Sequence, residues 1–247
     1  MRLEGKTAII TGAANGIGAE ISRLYAQEGA KVVLADLALE KAQEVADAIV
    51  KESGSEAIAV KCNVASKEEV QNVVDICVEK FGKVDIIVNN AGITLPACPI
   101  EDISPEQWKR VLDIDLMGTI YGTQCVIPIM RKSGGGKIIN MASIAGQVGG
   151  GFTEATYPVS KAGVICLAKA VAKQVGKDNI TCNCIAPGTV LTAMTETLGS
   201  ADASLNVPLH RLGNVRDIAN AALFLASNES DFITGATIDV NGGMGMR

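Results

Sequence analysis

Tyr157 and Lys161 stand four residues apart in a segment whose apolar spacing predicts a helix over 156–173, so the two side chains share one face. A free phenol, with a pKa of about 10, is a poor base at neutral pH. An ammonium beside it stabilises the phenolate, and the pair can then exchange a proton with an alcohol. Ser143 follows the run Ile138-Ile139-Asn140-Met141-Ala142, where a hydroxyl at the carboxyl end of a strand can point into a cleft. Taken singly, each also reads as something plainer, an exposed helix pair or a turn-capping serine.

A second group concerns phosphate and ribose. Thr11-Gly12-Ala13-Ala14-Asn15-Gly16-Ile17-Gly18 joins the first apolar run to the first helical pattern. Glycines there let the backbone turn tightly and approach a pyrophosphate, which rests on the free amides of the helix N-terminus. The spacing GxxxGxG departs from GxGxxG, so the turn alone fits simple helix-on-strand packing equally well. Asp36 closes the second apolar run about 20 residues on, where a carboxylate can accept both ribose hydroxyls of NAD and would repel a 2′-phosphate. No Arg or Lys lies in the glycine turn or directly after Asp36. Unless Asp36 is merely a surface acid at a strand end, the cofactor is expected to be NAD(H) rather than NADP(H).

The elements that must hold these groups alternate along the chain. Strands are expected at 6–11, 31–35, 57–60, 85–88, 137–140, 180–185 and 237–240. Helices are expected at 19–28, 39–53, 67–81, 156–173 and 216–226. Ser104-Pro105-Glu106-Gln107 opens a further long helix with a capping box, and Pro128 is expected to bend or break it before Gly134. Continuous apolar strands separated by helices mean a parallel sheet covered on both faces. The expectation is α/β: a single Rossmann-type, doubly wound domain over 1–247, with a substrate lid at 193–208.

Composition excludes several function classes. The 247 residues are 48% hydrophobic, and a net charge of −5 speaks against a nucleic-acid or anionic-membrane surface. The single histidine, His210, rules out multi-His metal sites, and no GxSxG elbow occurs for a serine hydrolase. No metal is expected. The seven cysteines are scattered through apolar runs and are expected to be buried, inert thiols in a reducing compartment. The N-terminus does not read as a signal peptide, and no uninterrupted apolar segment is long enough to span a membrane, so a soluble cytoplasmic protein is expected.

Together these features resemble the short-chain dehydrogenase/reductase family in its compact form, along the whole chain. The resemblance is carried by Gly12, Gly16 and Gly18 of the TGxxxGxG turn, Asn89-Asn90-Ala91-Gly92, Ser143, and Tyr157-x-x-x-Lys161. It continues through Pro187-Gly188 with Thr192, Ile233-Thr234-Gly235 and Asn241-Gly242-Gly243. It implies that Tyr157 is the general acid/base and that Ser143 hydrogen-bonds the same substrate oxygen. Lys161 would bind the nicotinamide ribose and favour the phenolate, while hydride passes between nicotinamide and substrate carbon. It further implies a cofactor site of Gly12, Asn15, Gly16, Ile17 and Gly18 with Asp36. Asn63 and Val64 would lie at the adenine, Asn90, Ala91 and Gly92 along the cofactor, and Pro187, Gly188, Val190 and Thr192 at the nicotinamide end. A homotetramer associating partly through the helices that start near Ser104 and Thr156 is implied as well.

Asp115 departs from the family, which usually has Asn there completing a catalytic tetrad through the lysine. Either the relay tolerates an ionised Asp115, which would favour Lys161 as ammonium and partly cancel its field at Tyr157, or Asp115 is held protonated. Asn63 is a milder change from the more frequent Asp. The substrate side is expected from 95–98, 145–153 and 193–208, which are mostly small or apolar, with no Arg or Lys for a carboxylate or phosphate. A small neutral secondary alcohol or ketone fits best. His210 and Arg211 read as a surface pair, and Trp108 as a packing residue. Two alternatives stand beside an NAD-dependent alcohol dehydrogenase or ketoreductase. One is a 3-oxoacyl-(acyl-carrier-protein) reductase, although such reductases usually prefer NADPH. The other is a dinucleotide-binding sensor that has lost catalysis.

Overall fold

A computed structural model describes residues 1–150, 153–192 and 207–246. The expected strands form one seven-stranded sheet: β1 (Thr7–Thr11), β2 (Lys31–Asp36), β3 (Ala57–Lys61), β4 (Ile86–Asn89), β5 (Gly136–Met141), β6 (Ile180–Pro187) and β7 (Thr237–Val240). Their order is β3-β2-β1-β4-β5-β6-β7, and every pair is parallel. The order reverses between β1 and β4, so a crevice opens there beyond their carboxyl ends. Thr11, Asp36, Asn89 and Met141 all terminate strands at that edge.

Successive strand residues feed opposite cores, as the period of two requires. Ile10, Leu34 and Ile86 pack under α1 (Gly16–Gln27), α2 (Leu39–Ser53) and the helix Val215–Ala226. Ile9, Val33 and Ile87 pack under α3 (Lys67–Phe81), α5 (Gly118–Ser133) and α7 (Thr156–Val175). Glycine ends α2 and α3 where the sequence places it, with Gly54 at φ 70° and Gly82 at φ 80°. With α4 (Pro105–Val111) and α6 (Ala145–Val148), the last helix, Val215–Ala226, becomes α8.

Three expectations need correction. The first helix starts at Gly16 rather than at 19, so the last two glycines of the turn belong to its first turn. The long helix opened by Ser104 does carry its capping box, but Pro128 is accommodated inside α5. The break lies earlier, where Leu112–Met117 widens into a π-helical turn between α4 and α5. Such turns commonly mark functional sites, and this one carries Asp115. Of the cysteines, Cys98 and Cys166 are exposed; the other five are buried. Arg211 is an exposed partner of Asp217, and Trp108 is half-buried on α4. Residues 193–206 of the expected lid lie outside the described residues. Among the described residues, no helix is long and apolar enough to cross a membrane.

Gly18 shows how closely the turn is packed: a Cβ there would stand 2.1 Å from the Gly12 carbonyl oxygen. Gly18→Ala is therefore expected to lower stability by about 1–3 kcal/mol through overpacking, and to weaken binding of the dinucleotide expected from the sequence as the turn shifts. Thermal unfolding and an NADH titration check both; an unchanged Tm would contradict the packing argument.

Candidate active site

The cleft at the reversal point has a volume of about 340 Å³. On one wall lies the glycine turn. Gly12 (φ 65°) and Gly16 (φ 54°) both adopt the left-handed backbone that favours glycine. A Cβ on Gly12 would sit 2.9 Å from the Ala91 Cα, so the turn and the segment after β4 touch backbone to backbone. Asn90 fastens them, its Nδ2 donating to the carbonyls of Thr11 (2.9 Å) and Gly12 (3.1 Å). The Thr11 hydroxyl oxygen accepts from the amides of Asn90 and Ala91. Asn15 starts α1 without a side-chain cap, and no acidic residue occupies the first turn, so these amides remain suited to an anion. Asp36 lies at the rim, its two oxygens accepting from the amides of Ala14 (2.9 Å) and Ala38 (2.9 Å). The residues fit a dinucleotide: a close-approach turn, uncapped helix amides and an oriented carboxylate at the end of β2.

The other wall carries a hydroxyl, a phenol and an ammonium. β5 delivers Ser143, whose Oγ accepts from the Ala145 amide at 3.1 Å and keeps its own hydrogen free to donate. The first turn of α7 delivers Tyr157, and the second delivers Lys161, with its Nζ 5.5 Å from the Tyr157 ring centroid. Lys161 is buried and donates to the Met141 carbonyl at 3.1 Å. Its Nζ also lies 3.2 Å from Asp115 Oδ2. Asp115 is fully buried, and its Oδ1 accepts from the Ile93 amide at 2.8 Å. Gly92 makes room for the pair: a Cβ would come within 3.1 Å of Lys161 Nζ and 3.3 Å of Asp115 Oδ2.

Burial pushes the Asp115 carboxyl above the usual carboxylate range, against the pull of Lys161, the Ile93 amide and Ser160. Burial acts on Lys161 in the discharging sense, but Asp115 first and Tyr157 second outweigh it and hold the lysine above its ordinary value. The 3.2 Å contact, with the Ile93 amide and the Ser160 hydroxyl also donating to Asp115, suits a carboxylate facing an ammonium.

Of the residues singled out from sequence, Gly12, Asn15, Gly16, Ile17, Asp36, Asn63, Val64, Asn90, Ala91, Gly92, Ser143, Tyr157, Lys161, Pro187, Gly188, Val190 and Thr192 all line the cleft. Gly18 and Asp115 do not. Gly18 packs beneath the turn, and Asp115 touches Lys161 from behind. Leu37, Cys62, Ile93, Ile114, Met141 and Ala142 line the cleft too and escaped the sequence reading. Most flank a residue already singled out, which was the available signal. The Cys62 thiol is pushed up to about 12 by burial, then by Glu69, Asp36 and Cys125, so it faces the cleft as an inert thiol. Glu154, buried beside the start of α7, also went unnoticed.

The family model described as enoyl-(acyl carrier protein) reductase matches residues 12–245. An uncharacterised short-chain type dehydrogenase/reductase of Sinorhizobium fredii is 42% identical over 99% of each chain. A 3-oxoacyl-(acyl-carrier-protein) reductase of Thermotoga maritima is 40% identical, again over 99% of each. The crystal structure of a short-chain type dehydrogenase/reductase from Mycobacterium marinum superposes with a TM-score of 0.95 at 33% identity, covering 99% of this chain and 97% of that one.

Asp115→Asn removes a charge beside Lys161 with almost no change in shape. The positive field at Tyr157 then rises, and, if Tyr157 is the base, the ascending limb of the pH–rate profile for the oxidative direction is expected to move to lower pH. An offset of roughly 1–2 kcal/mol corresponds to a shift on the order of one unit. An unchanged or upward-shifted limb would contradict an ionised Asp115.

Proposed function

The chain belongs to the short-chain dehydrogenase/reductase family, oxidoreductases that bind a nicotinamide dinucleotide, and on that premise we propose that it interconverts a neutral secondary alcohol and its ketone, with NAD(H) preferred over NADP(H). The observation that carries this reading is the joining of two walls in one cleft: Ser143, Tyr157 and Lys161 face the glycine turn and Asp36.

Gly12, Asn15, Gly16 and Ile17 would hold the pyrophosphate on the α1 amides, with Gly18 keeping the turn tight. Asp36 would take the adenosine ribose hydroxyls, and Asn63 and Val64 the adenine. Asn90, Ala91 and Gly92 would line the middle of the cofactor, and Pro187, Gly188, Val190 and Thr192 the nicotinamide end, with Lys161 on its ribose. The bound nicotinamide supplies or accepts the hydride. Tyr157 gives its proton to the ketone oxygen on reduction and takes one from the alcohol on oxidation. Ser143 donates its free hydrogen to that same oxygen, and the Lys161 ammonium favours the phenolate. Asp115 acts through Lys161, as a positioning residue.

Lys161 is the one cation among the described residues lining the cleft, and Asp115 already pairs with it. That supports a substrate without a carboxylate or phosphate at the reacting end. It also supports NAD(H), since a 2′-phosphate would meet Asp36 and exposed Leu37 instead of a cation. The relatives named 3-oxoacyl-(acyl-carrier-protein) reductase favour a second reading, reduction of a 3-oxoacyl thioester. Cofactor choice separates the two. We further propose a cytoplasmic homotetramer of single-domain subunits; Val159, 49% exposed on α7, is consistent with a covered face there.

NAD(H) is expected to exceed NADP(H) at least tenfold in kcat/KM, about 1.4 kcal/mol, a modest demand on one charge repulsion. Asp36→Ala should narrow the ratio mainly by weakening NADH, and equal turnover with NADPH in the native enzyme would sink the assignment. Tyr157→Phe deletes one oxygen and keeps the ring. Its kcat should fall by about 10²–10⁴ with NADH affinity preserved. Residual activity within threefold of wild type, measured on the same alcohol, would mean that the proton takes another route.

A further inference from the structure

Glu154 is 1% exposed, three residues before Tyr157, and its partners are all N–H and O–H donors. Oε2 accepts from the Thr156 amide (2.5 Å), the Thr156 hydroxyl (2.5 Å) and the Tyr157 amide (3.2 Å). These are first-turn groups of α7, which has no side-chain cap from its N-cap residue Ala155. Oε1 reaches across to a different segment and accepts from the Leu95 amide at 3.2 Å. Next to it, Pro96 and Thr153 form an isolated antiparallel bridge, so 95–96 and 153–154 run side by side.

Asp115 repeats the arrangement one step deeper. One of its oxygens takes the Ile93 amide, and the other faces Lys161 and Ser160 of α7. Two buried carboxylates thus hold alternate amides of the segment after β4, and each is bonded through its other oxygen to the catalytic helix. Asp115 fixes the lysine, and Glu154 fixes the backbone of the tyrosine itself.

We infer that Glu154 is a positioning residue that registers Tyr157 against the substrate wall begun by Leu95 and Pro96. The inference rests on the alcohol–ketone reading for its kinetic consequences, while the clamp itself is a property of the chain. The two oxygens carry separable duties. Oε2 sets Tyr157 and so governs the proton-transfer step; Oε1 sets the wall and so governs substrate binding. Neither touches the dinucleotide side.

The pair Glu154→Gln and Glu154→Ala separates these duties. Glutamine keeps one acceptor oxygen, which the three donors on α7 will claim, and turns its NH₂ against the Leu95 amide. Glu154→Gln is expected to raise substrate KM about tenfold with kcat within about threefold, while Glu154→Ala also lowers kcat by about tenfold or more. NADH affinity should stay within about twofold in both. Amide hydrogen exchange reads the clamp without turnover: in Glu154→Gln, exchange at Leu95 should quicken about tenfold while Tyr157 keeps its wild-type rate. Equal kinetic losses in the two variants, a loss of NADH affinity, or unchanged exchange at Leu95 would overturn the inference. Should Glu154→Ala fail to fold, the KM–kcat split and the exchange pattern of Glu154→Gln still decide. Should the wild type turn over no secondary alcohol or ketone, the functional reading fails, and exchange at Leu95 alone decides the clamp.

Discussion

A carboxylate and an ammonium buried together must find every partner they need inside the protein, and Asp115 and Lys161 do so by joining four separate pieces of chain. Lys161 comes from α7 and reaches the end of β5 through the Met141 carbonyl. Asp115 comes from the π turn and holds the segment after β4 through the Ile93 amide. Removing either partner would strand a desolvated charge, which makes the pair costly to break. The Tyr157 ring lies 5.5 Å from Lys161 Nζ, and Gly92 packs close beside both charged groups.

The glycine-turn wall obeys a different constraint, close approach of backbones. Gly12, Gly16 and Gly18 let β1 turn into α1 within contact of Ala91, and Asn90 ties that contact with two hydrogen bonds. The same Asn90-Ala91-Gly92 segment continues into the amide that Asp115 holds. One short stretch after β4 therefore connects the glycine turn to the buried Asp115–Lys161 pair.

Much of this was legible in the sequence. Apolar runs with glycine at helix ends fix the strand and helix order, and α2 and α3 have the expected bounds because αL glycines stop them. That Tyr157, Lys161, Ser143 and Asp36 meet in one cleft was legible because each proposed role needs one residue type at one place relative to a strand end or helix turn. The π turn was not. It lies where elements pack closely: a Cβ on Gly118 would stand 2.9 Å from Val64, and one on Gly163 would stand 3.0 Å from Leu116. No local propensity announces those contacts, so Pro128 took the blame for a break it does not make. Glu154 was missed for a related reason. An acid just before a helix looks like an ordinary charge, and only the fold brings Leu95 to its second oxygen.

The account stands on Asp115 being a charged partner of Lys161 at neutral pH. Infrared difference spectroscopy between the native protein and Asp115→Asn, in the carbonyl and carboxylate regions, reads that state directly. The expected difference is the loss of ionised-carboxylate bands, with no carboxylic-acid carbonyl band disappearing. Loss of a carboxylic-acid band instead would show Asp115 to be protonated, and would contradict the ion pair on which the site is built.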